Sequence, residues 1–303
     1  MIKRTICIEN PAHLKCRNDQ FIISYNGIKG MEEIPEKSVP IEDIGIVILE
    51  HHQINISHFL LDRLLLNNAA VVTCNASHHP TGLFMNLDGN TIQSERFQAQ
   101  VNAAEPLKKQ IWQQTVKAKI MNQANLLVKY NVPAETLKRY SENVKSGDAD
   151  NNEAKAAAYY WKNLLPLAWM FYRKRDGAPP NNILNYGYAI LRASIARALV
   201  GSGLLPTLGV FHRNRYNSYC LADDIMEPYR PFVDEVVRAM VDKTSHLENL
   251  TPELKVQLLK IPTIDVEIEN ESSPLFVAVQ KTTASLAKFY SGETKKLAYP
   301  VLT

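Results

Sequence analysis

A change of hydrophobic period near residue 90 constrains this chain more than any other feature of its sequence. Through residues 1–90 the apolar side chains alternate with polar ones or run unbroken over a few positions, as strands require. Beyond residue 100 they recur every three or four positions, as helices require. A block of strands followed by a block of helices reads as an α+β chain: a small N-terminal β-rich domain over 1–90, a polar linker over 91–100, and a larger all-α C-terminal domain over 101–303. A length of 303 residues accommodates both.

Within the first block, Thr5–Glu9 is a short β-branched run. Leu14, Cys16, Phe21, Ile23 and Tyr25 alternate around Arg17-Asn18-Asp19-Gln20, the pattern of a hairpin. Ile41–Leu49 is almost continuously apolar, as a buried strand is. Ile56–Leu66 has helical spacing, and Ala69–Cys74 and Thr81–Asn86 read as further strands, so a strand–helix–strand unit lies inside a mainly β domain. In the second block a long amphipathic helix should run through Leu107, Ile111, Ile120 and Leu127 to about Asn131, and a second from Pro133 to about Val144. Others are expected over 153–171, 181–200, 224–241, 252–259 and 274–290, with an isolated strand at Val266–Glu269.

Composition excludes several functional classes. The net charge of +3 is too small to mark a nucleic-acid partner, so any basic surface must come from clustering. The longest apolar runs, Ile44–Leu49 and Leu164–Phe171, fall far short of the roughly 20 residues that span a bilayer. The N-terminus carries no export signal, which points to a cytoplasmic protein. Its four scattered cysteines are then expected to be thiols, and the sequons at Asn55, Asn75, Asn249 and Asn270 chance matches. The phosphate-cradling P-loop, the dinucleotide fingerprint, H-E-x-x-H and G-x-S-x-G are all missing.

Three segments carry residue types suited to chemistry. In the first, Glu153 opens a helix whose alanine-rich turn runs on into Tyr159-Tyr160-Trp161; the plainer reading is a carboxylate placed at the positive end of the helix dipole. In the second, His212 stands with Arg213, Asn214, Arg215, Tyr216 and Asn217 after Gly209. This is a mixture that fits a metal and a phosphate backbone, or a polar surface loop. In the third, Asp224, Glu227 and Arg230 follow at three-residue steps and would share a helical face. Asp-x-x-Glu is also the pattern of a capping box. Two carboxylates and one imidazole are a donor set for Mg²⁺ or Mn²⁺. With Lys155, Arg173-Lys174-Arg175, Arg213, Arg215 and Arg230 beside them, they are the equipment of phosphodiester chemistry.

The phrase Glu-x-x-Ala-Ala-x-Tyr-Tyr-Trp, the Gly-x-x-His-Arg-Asn loop and Asp-Asp-Ile-Met-Glu-Pro-Tyr-Arg-Pro resemble, in order and spacing, the CRISPR-associated protein 1 family; Leu184-Asn185-Tyr186-Gly187-Tyr188 is similar to it too. The wording is most similar to members from type II systems. The resemblance implies that Glu153, His212 and Glu227 bind the metal, and that Arg230 lies near a substrate phosphate. It implies a second acidic position at Asp224. Arg213, Arg215, Arg173 and Tyr160 are candidate DNA contacts. The reaction it implies is transesterification, in which a 3′-hydroxyl of a DNA fragment, the prespacer, is joined to a CRISPR repeat. The implied partners are double-stranded DNA, a second copy through the β domain, and CRISPR-associated protein 2.

Two other readings stay open at this point: a non-catalytic two-domain DNA-binding scaffold, and a metal-dependent nuclease that uses water. Acidic residues beside a phosphate site speak against the first, because they repel DNA unless a cation intervenes. His51-His52 and His78-His79-Pro80 invite a second metal site, but no cysteine or carboxylate spacing supports one, and they read as loop residues. Lys295-Lys296 reads as part of a solvated tail.

Overall fold

A computed structural model describes residues 3–31, 34–76, 80–166, 169–174, 176–244 and 246–303, without the side chain of residue 80. His78, His79 and Arg175, named above, lie outside the described residues. The chain divides into two compact units, Met1–Thr91 and Ile92–Thr303.

The first unit holds two four-stranded sheets. In one, β1 (Arg4–Ile8), β5 (Ile44–Leu49) and β7 (Ala70–Cys74) are parallel, and β8 (Pro80–Phe84) closes the row antiparallel to β7. β5 is apolar throughout because it lies between two strands and is buried over most of its length. The other sheet has the order β4 (Lys37–Pro40), β3 (Gln20–Ser24), β2 (Ala12–Arg17), β6 (Ile54–Ile56). The β2–β3 hairpin closes through Asn18 and Asp19, both at positive φ (51° and 55°), as a two-residue primed turn demands. Helix α1 (His58–Leu66) starts where the Ser57 hydroxyl accepts the Leu60 N–H at 3.3 Å. It buries Leu60 and Leu64 beside Leu14, Phe21, Ile44, Val47 and Val71. β4 has no counterpart among the sequence expectations: it is a short, largely exposed edge strand, and Lys37-Ser38-Val39-Pro40 carries too few apolar residues to signal one.

The second unit is mainly helical: α2 (Gln93–Val101), α3 (Glu105–Lys129), α4 (Glu135–Glu142), α5 (Asn152–Leu164), α6 (Asn181–Gly201), α7 (Cys220–Met226), α8 (Arg230–Val241), α9 (Pro252–Leu259) and α10 (Leu275–Tyr290). Four expectations need correction. The unit is not all-α, because Val266 and Ile268 lie in a strand β9 (Asp265–Ile268) paired with β10 (Glu271–Pro274) through Glu269 and Asn270 at positive φ. Residues 93–101 form a helix rather than a linker; its buried Gln100 donates to the Leu205 carbonyl at 2.9 Å and accepts the Leu205 N–H at 2.8 Å. The α5 helix stops at Leu164, short of Phe171, because Pro166 disfavours helical backbone just before it. The expected 224–241 helix is two helices with a tight turn at Glu227–Tyr229, each restart having a proline in its first turn where no N–H is needed.

α3 is the scaffold for the site. Ile111, Trp112, Val116, Ile120 and Leu127 are buried along it, and so are Lys119, Asn122 and Gln123. α6 is buried on nearly every side. Its Gly187 allows α8 to approach closely, since a Cβ there would lie 2.6 Å from Val233 Cγ1. No helix among the described residues is long and apolar enough to cross a membrane.

Candidate metal and phosphate site

Glu153 lies in the first turn of α5, but the helix end is capped by another residue. The Asp148 carboxylate accepts the Asn152 and Glu153 backbone N–H groups, each at 2.9 Å. With the dipole satisfied from outside, the Glu153 side chain is left to reach Lys119 Nζ at 2.5 Å.

His212 is placed by Asp224. Because α7 begins at Cys220, Asp224 is inside a helix and fully buried, which overturns the capping-box reading. Its carboxylate caps the loop before it in space: Oδ2 accepts the N–H of Val210 (2.7 Å) and Phe211 (3.0 Å), and Oδ1 accepts that of His212 (3.2 Å) and meets His212 Nδ1 at 2.5 Å. Gly209 makes this wrapping possible, since a Cβ there would fall on the His212 carbonyl oxygen and lie 2.9 Å from Asp224 Oδ2. Phe211 stacks on buried Trp112 (centroids 4.2 Å, 2° between planes), and the His212 ring meets the same indole edge-on at 5.8 Å. The imidazole is therefore oriented on two sides, with Nδ1 engaged by Asp224, which leaves Nε2 as the nitrogen available to a ligand.

Glu227 sits in the turn after α7, almost fully buried. Its Oε1 accepts Arg230 Nε at 2.9 Å, and its Oε2 lies 2.6 Å from Lys119 Nζ. That second contact is an ion pair without hydrogen-bond alignment, so Glu227 Oε2 remains a buried oxygen with no aligned donor. Burial pushes the Glu227 carboxyl up, but Arg230 and then Lys119 outweigh it and hold it at about 2. Burial pulls the Lys119 ammonium down; Glu227 and Glu153 together push it above the ordinary lysine value. The hydrogen bond to Asp224 raises His212 most, against burial, and the charges of Asp224, Glu227 and Glu153 raise it further. Both candidate carboxylates thus act on the imidazole, although they come from distant parts of the chain.

The donor set fits a hard divalent cation in its chemistry: two carboxylates already share one ammonium, one of their oxygens lacks an aligned donor, and an oriented imidazole stands in the same field. Without a metal, Glu153, His212 and Glu227 do not bring all their donor atoms within 4.8 Å of one another. Among the described residues one trio of metal-binding side chains has all its donor atoms within 4.8 Å of one another, namely Cys7, Glu9 and Glu50 in the first unit. Glu50 follows β5 just before His51, so this group adds thiol and carboxylate donors to a region where sequence spacing suggested none.

The candidate DNA contacts divide. Arg213 is exposed and paired with Glu105 at 2.6 Å; Arg215 is exposed and packs over the Tyr216 ring. Both line an open cleft of about 440 Å³ with Lys108, His212, Asn214 and Asn217. Arg173 donates to Asn181 and Asn185 and lies over the Tyr188 ring at 5.3 Å; Arg230 lies over the same ring at 4.7 Å. Tyr160 is misassigned: it is fully buried, and its hydroxyl donates to Asp234 at 2.7 Å, so it supports the core under the site and has no face for DNA. Burial raises Asp234 to about 6, against hydrogen bonds from Tyr188 and Tyr160. A cavity of about 130 Å³ is lined by Lys119, Trp161, Arg173, Tyr188, Glu227 and Arg230, among others.

The model of the family described as CRISPR associated protein Cas1 matches residues 6–251. The chain belongs to the Cas1 family. A CRISPR-associated endonuclease Cas1 from Neisseria meningitidis serogroup C (strain 8013) is 35% identical to it, over 98% of this chain and 94% of the relative. Among solved structures, a casposase bound to integration product superposes with a TM-score of 0.78 at 19% identity, over 98% of this chain and 92% of that one. A chain of a Cas6-RT-Cas1–Cas2 complex superposes with a TM-score of 0.73 at 18% identity, over 97% of this chain and 35% of that longer one. At those identities the structural likeness is one of fold.

Sequence reasoning missed Lys119 and Asp148. Lys119 lies in the middle of a helix where lysine ordinarily marks a solvated face, and no local signal separates it from its neighbours. Asp148 lies three residues before the cap position Asn151, outside the usual cap signal, and only the turn between them brings its carboxylate back to the helix end.

Proposed function

We propose that the chain is a metal-dependent DNA endonuclease and integrase of CRISPR adaptation, with Glu153, His212 and Glu227 as the ligands of one Mg²⁺ or Mn²⁺ ion. Membership of the Cas1 family supports the activity. The observation that carries the site is that Glu153 and Glu227, distant in the chain, both meet the Lys119 ammonium, at 2.5 and 2.6 Å. A bound divalent ion would supply Lewis-acid stabilisation of the phosphoryl oxygens and lower the pKa of the attacking hydroxyl.

This chain's own residues do the rest. Asp224 holds the His212 tautomer and ring through Nδ1, which leaves Nε2 for the metal. Arg230 is held through Nε by Glu227, which leaves the terminal guanidinium nitrogens for a phosphate oxygen. Tyr188 and Asp234 fix Arg230 from behind, the ring by stacking and the carboxylate through the Tyr188 hydroxyl. Arg213 and Arg215 provide exposed charge for the DNA backbone, and the exposed Arg213–Glu105 pair exchanges for a phosphate at little cost. No side chain acts as a nucleophile, in keeping with joining by transesterification, where the 3′-hydroxyl of one DNA attacks a phosphodiester of another.

The partners we propose are double-stranded prespacer and repeat DNA, a second copy of the chain through the β-rich unit, and CRISPR-associated protein 2, in the cytoplasm. The test is strand transfer with labelled DNA and Mn²⁺. Glu153→Ala is expected to abolish joining and to keep DNA binding within about threefold; retained joining would refute the ligand assignment. Comparing joined with hydrolysed product in the unmodified protein separates the integrase from a nuclease that uses water.

A further inference from the structure

Lys119 is more than one half of a salt bridge. It is buried in the middle of α3, and its Nζ stands 2.5 Å from Glu153 Oε1 and 2.6 Å from Glu227 Oε2. A divalent ion bound to the same two oxygens would sit about 2.0–2.2 Å from each. The ammonium and the ion would therefore compete for one point in space. We propose that Lys119 is a built-in counter-cation that occupies the metal position in the metal-free protein, and that it must withdraw as the metal enters. The inference rests on the ligand set proposed above.

Three features argue for this role over a purely structural one. The two carboxylates are close and largely withdrawn from water, so without a cation between them they would repel and spread. The ammonium satisfies them unevenly, because its contact with Glu227 Oε2 lacks hydrogen-bond alignment. Finally, the side chain has somewhere to go. Lys119 lines the neighbouring cavity of about 130 Å³ with Trp161 and Asp234, and a four-carbon stem can turn there while α3 stays in place; the Tyr188 ring in that cavity is already covered by Arg173 and Arg230. Lys119 is thus a positioning residue. It keeps the ligand pair assembled before loading and weakens loading by competition.

The test is calorimetric titration of the full chain with Mn²⁺ alone, in the absence of DNA, for the unmodified protein, Lys119→Met and Glu227→Gln. Lys119→Met is expected to bind Mn²⁺ about tenfold more tightly or better, because the competing ion is gone. It should also melt at a lower temperature without Mn²⁺ and recover most of that loss when saturated. Glu227→Gln is expected to bind at least about tenfold more weakly. Lys119→Met binding as the unmodified protein does, or more weakly, while Glu227→Gln loses binding, overturns the counter-cation role and leaves the ligand set standing. Glu227→Gln binding as the unmodified protein does overturns both. Should Lys119→Met fail to fold, a crystal structure of the unmodified protein with Mn²⁺ decides: Nζ drawn away from at least one carboxylate supports the proposal, and Nζ still bridging both refutes it.

Discussion

Replacing Asp224 by asparagine changes one atom and should disarm the site from behind. In the native protein the two carboxylate oxygens accept four N–H groups, three from the backbone of residues 210–212 and one from the His212 ring. An asparagine keeps one oxygen. If it stays on His212, the amide NH₂ confronts the N–H groups of Val210 and Phe211, donor against donor. Two hydrogen bonds to a charged acceptor are worth about 1.5–3 kcal/mol each. Val210 is buried whereas Phe211 and the residues after it are exposed, so water can rescue part of the loss. The net destabilisation should be about 2–4 kcal/mol, read from urea unfolding of the full chain.

The same substitution removes the main cause of the raised His212 pKa, so the ring should titrate lower, nearer the ordinary value of about 6.5. The sign follows from linkage. A histidine raised in the folded state adds stability below its unfolded pKa and loses it as pH rises through the folded pKa. The stability gap between native and Asp224→Asn should therefore be wider near about pH 5.5 than near about pH 9. An Asp224→Asn protein within about 0.5 kcal/mol of native at both pH values, with His212 titrating unchanged by NMR, would refute the account of how the loop is held.

Acid should act chiefly through Glu227. Its carboxyl is depressed to about 2, so its contribution is complete above the ordinary glutamate value and lost as pH falls from about 4.3 toward 2. Stability of the native protein should drop more steeply over that range than stability of Glu227→Gln, as followed by circular dichroism; parallel curves would contradict the pairing. Gly209→Ala should cost about 3 kcal/mol or more in unfolding experiments, because the new methyl meets a backbone carbonyl that cannot retreat without releasing Asp224. An alanine variant of native stability would show that the loop has room after all.

Much of the first unit was legible residue by residue. The Arg17-Asn18-Asp19-Gln20 turn, the apolar β5 and the amphipathic α1 each carry a local reason for their shape. So do most helices of the second unit. Where local signals competed, the reading failed. Residues 93–101 are polar enough for a linker, yet Gln100 finds backbone partners at Leu205 that no sequence window displays. Asp224 looks like a cap because Asp-x-x-Glu is a local pattern, but its donors lie on the loop that precedes the helix in sequence and folds back over it. Tyr160 looks like a stacking surface beside Tyr159 and Trp161, and only packing against α8 shows that its hydroxyl belongs to Asp234.

From composition and order alone came the list of chemical parts: two glutamates, a histidine and a set of arginines in three segments, and the change of period that makes an α+β chain. Tertiary structure alone put Lys119 between the glutamates, set the carboxylate of Asp224 against the His212 ring, and withdrew Tyr160 from solvent. The physical reason is range. Period, turn chemistry and capping act over a few residues and are written locally. An ion pair between α3, α5 and the turn after α7 depends on where three helices settle, a balance of burial and packing over the whole unit.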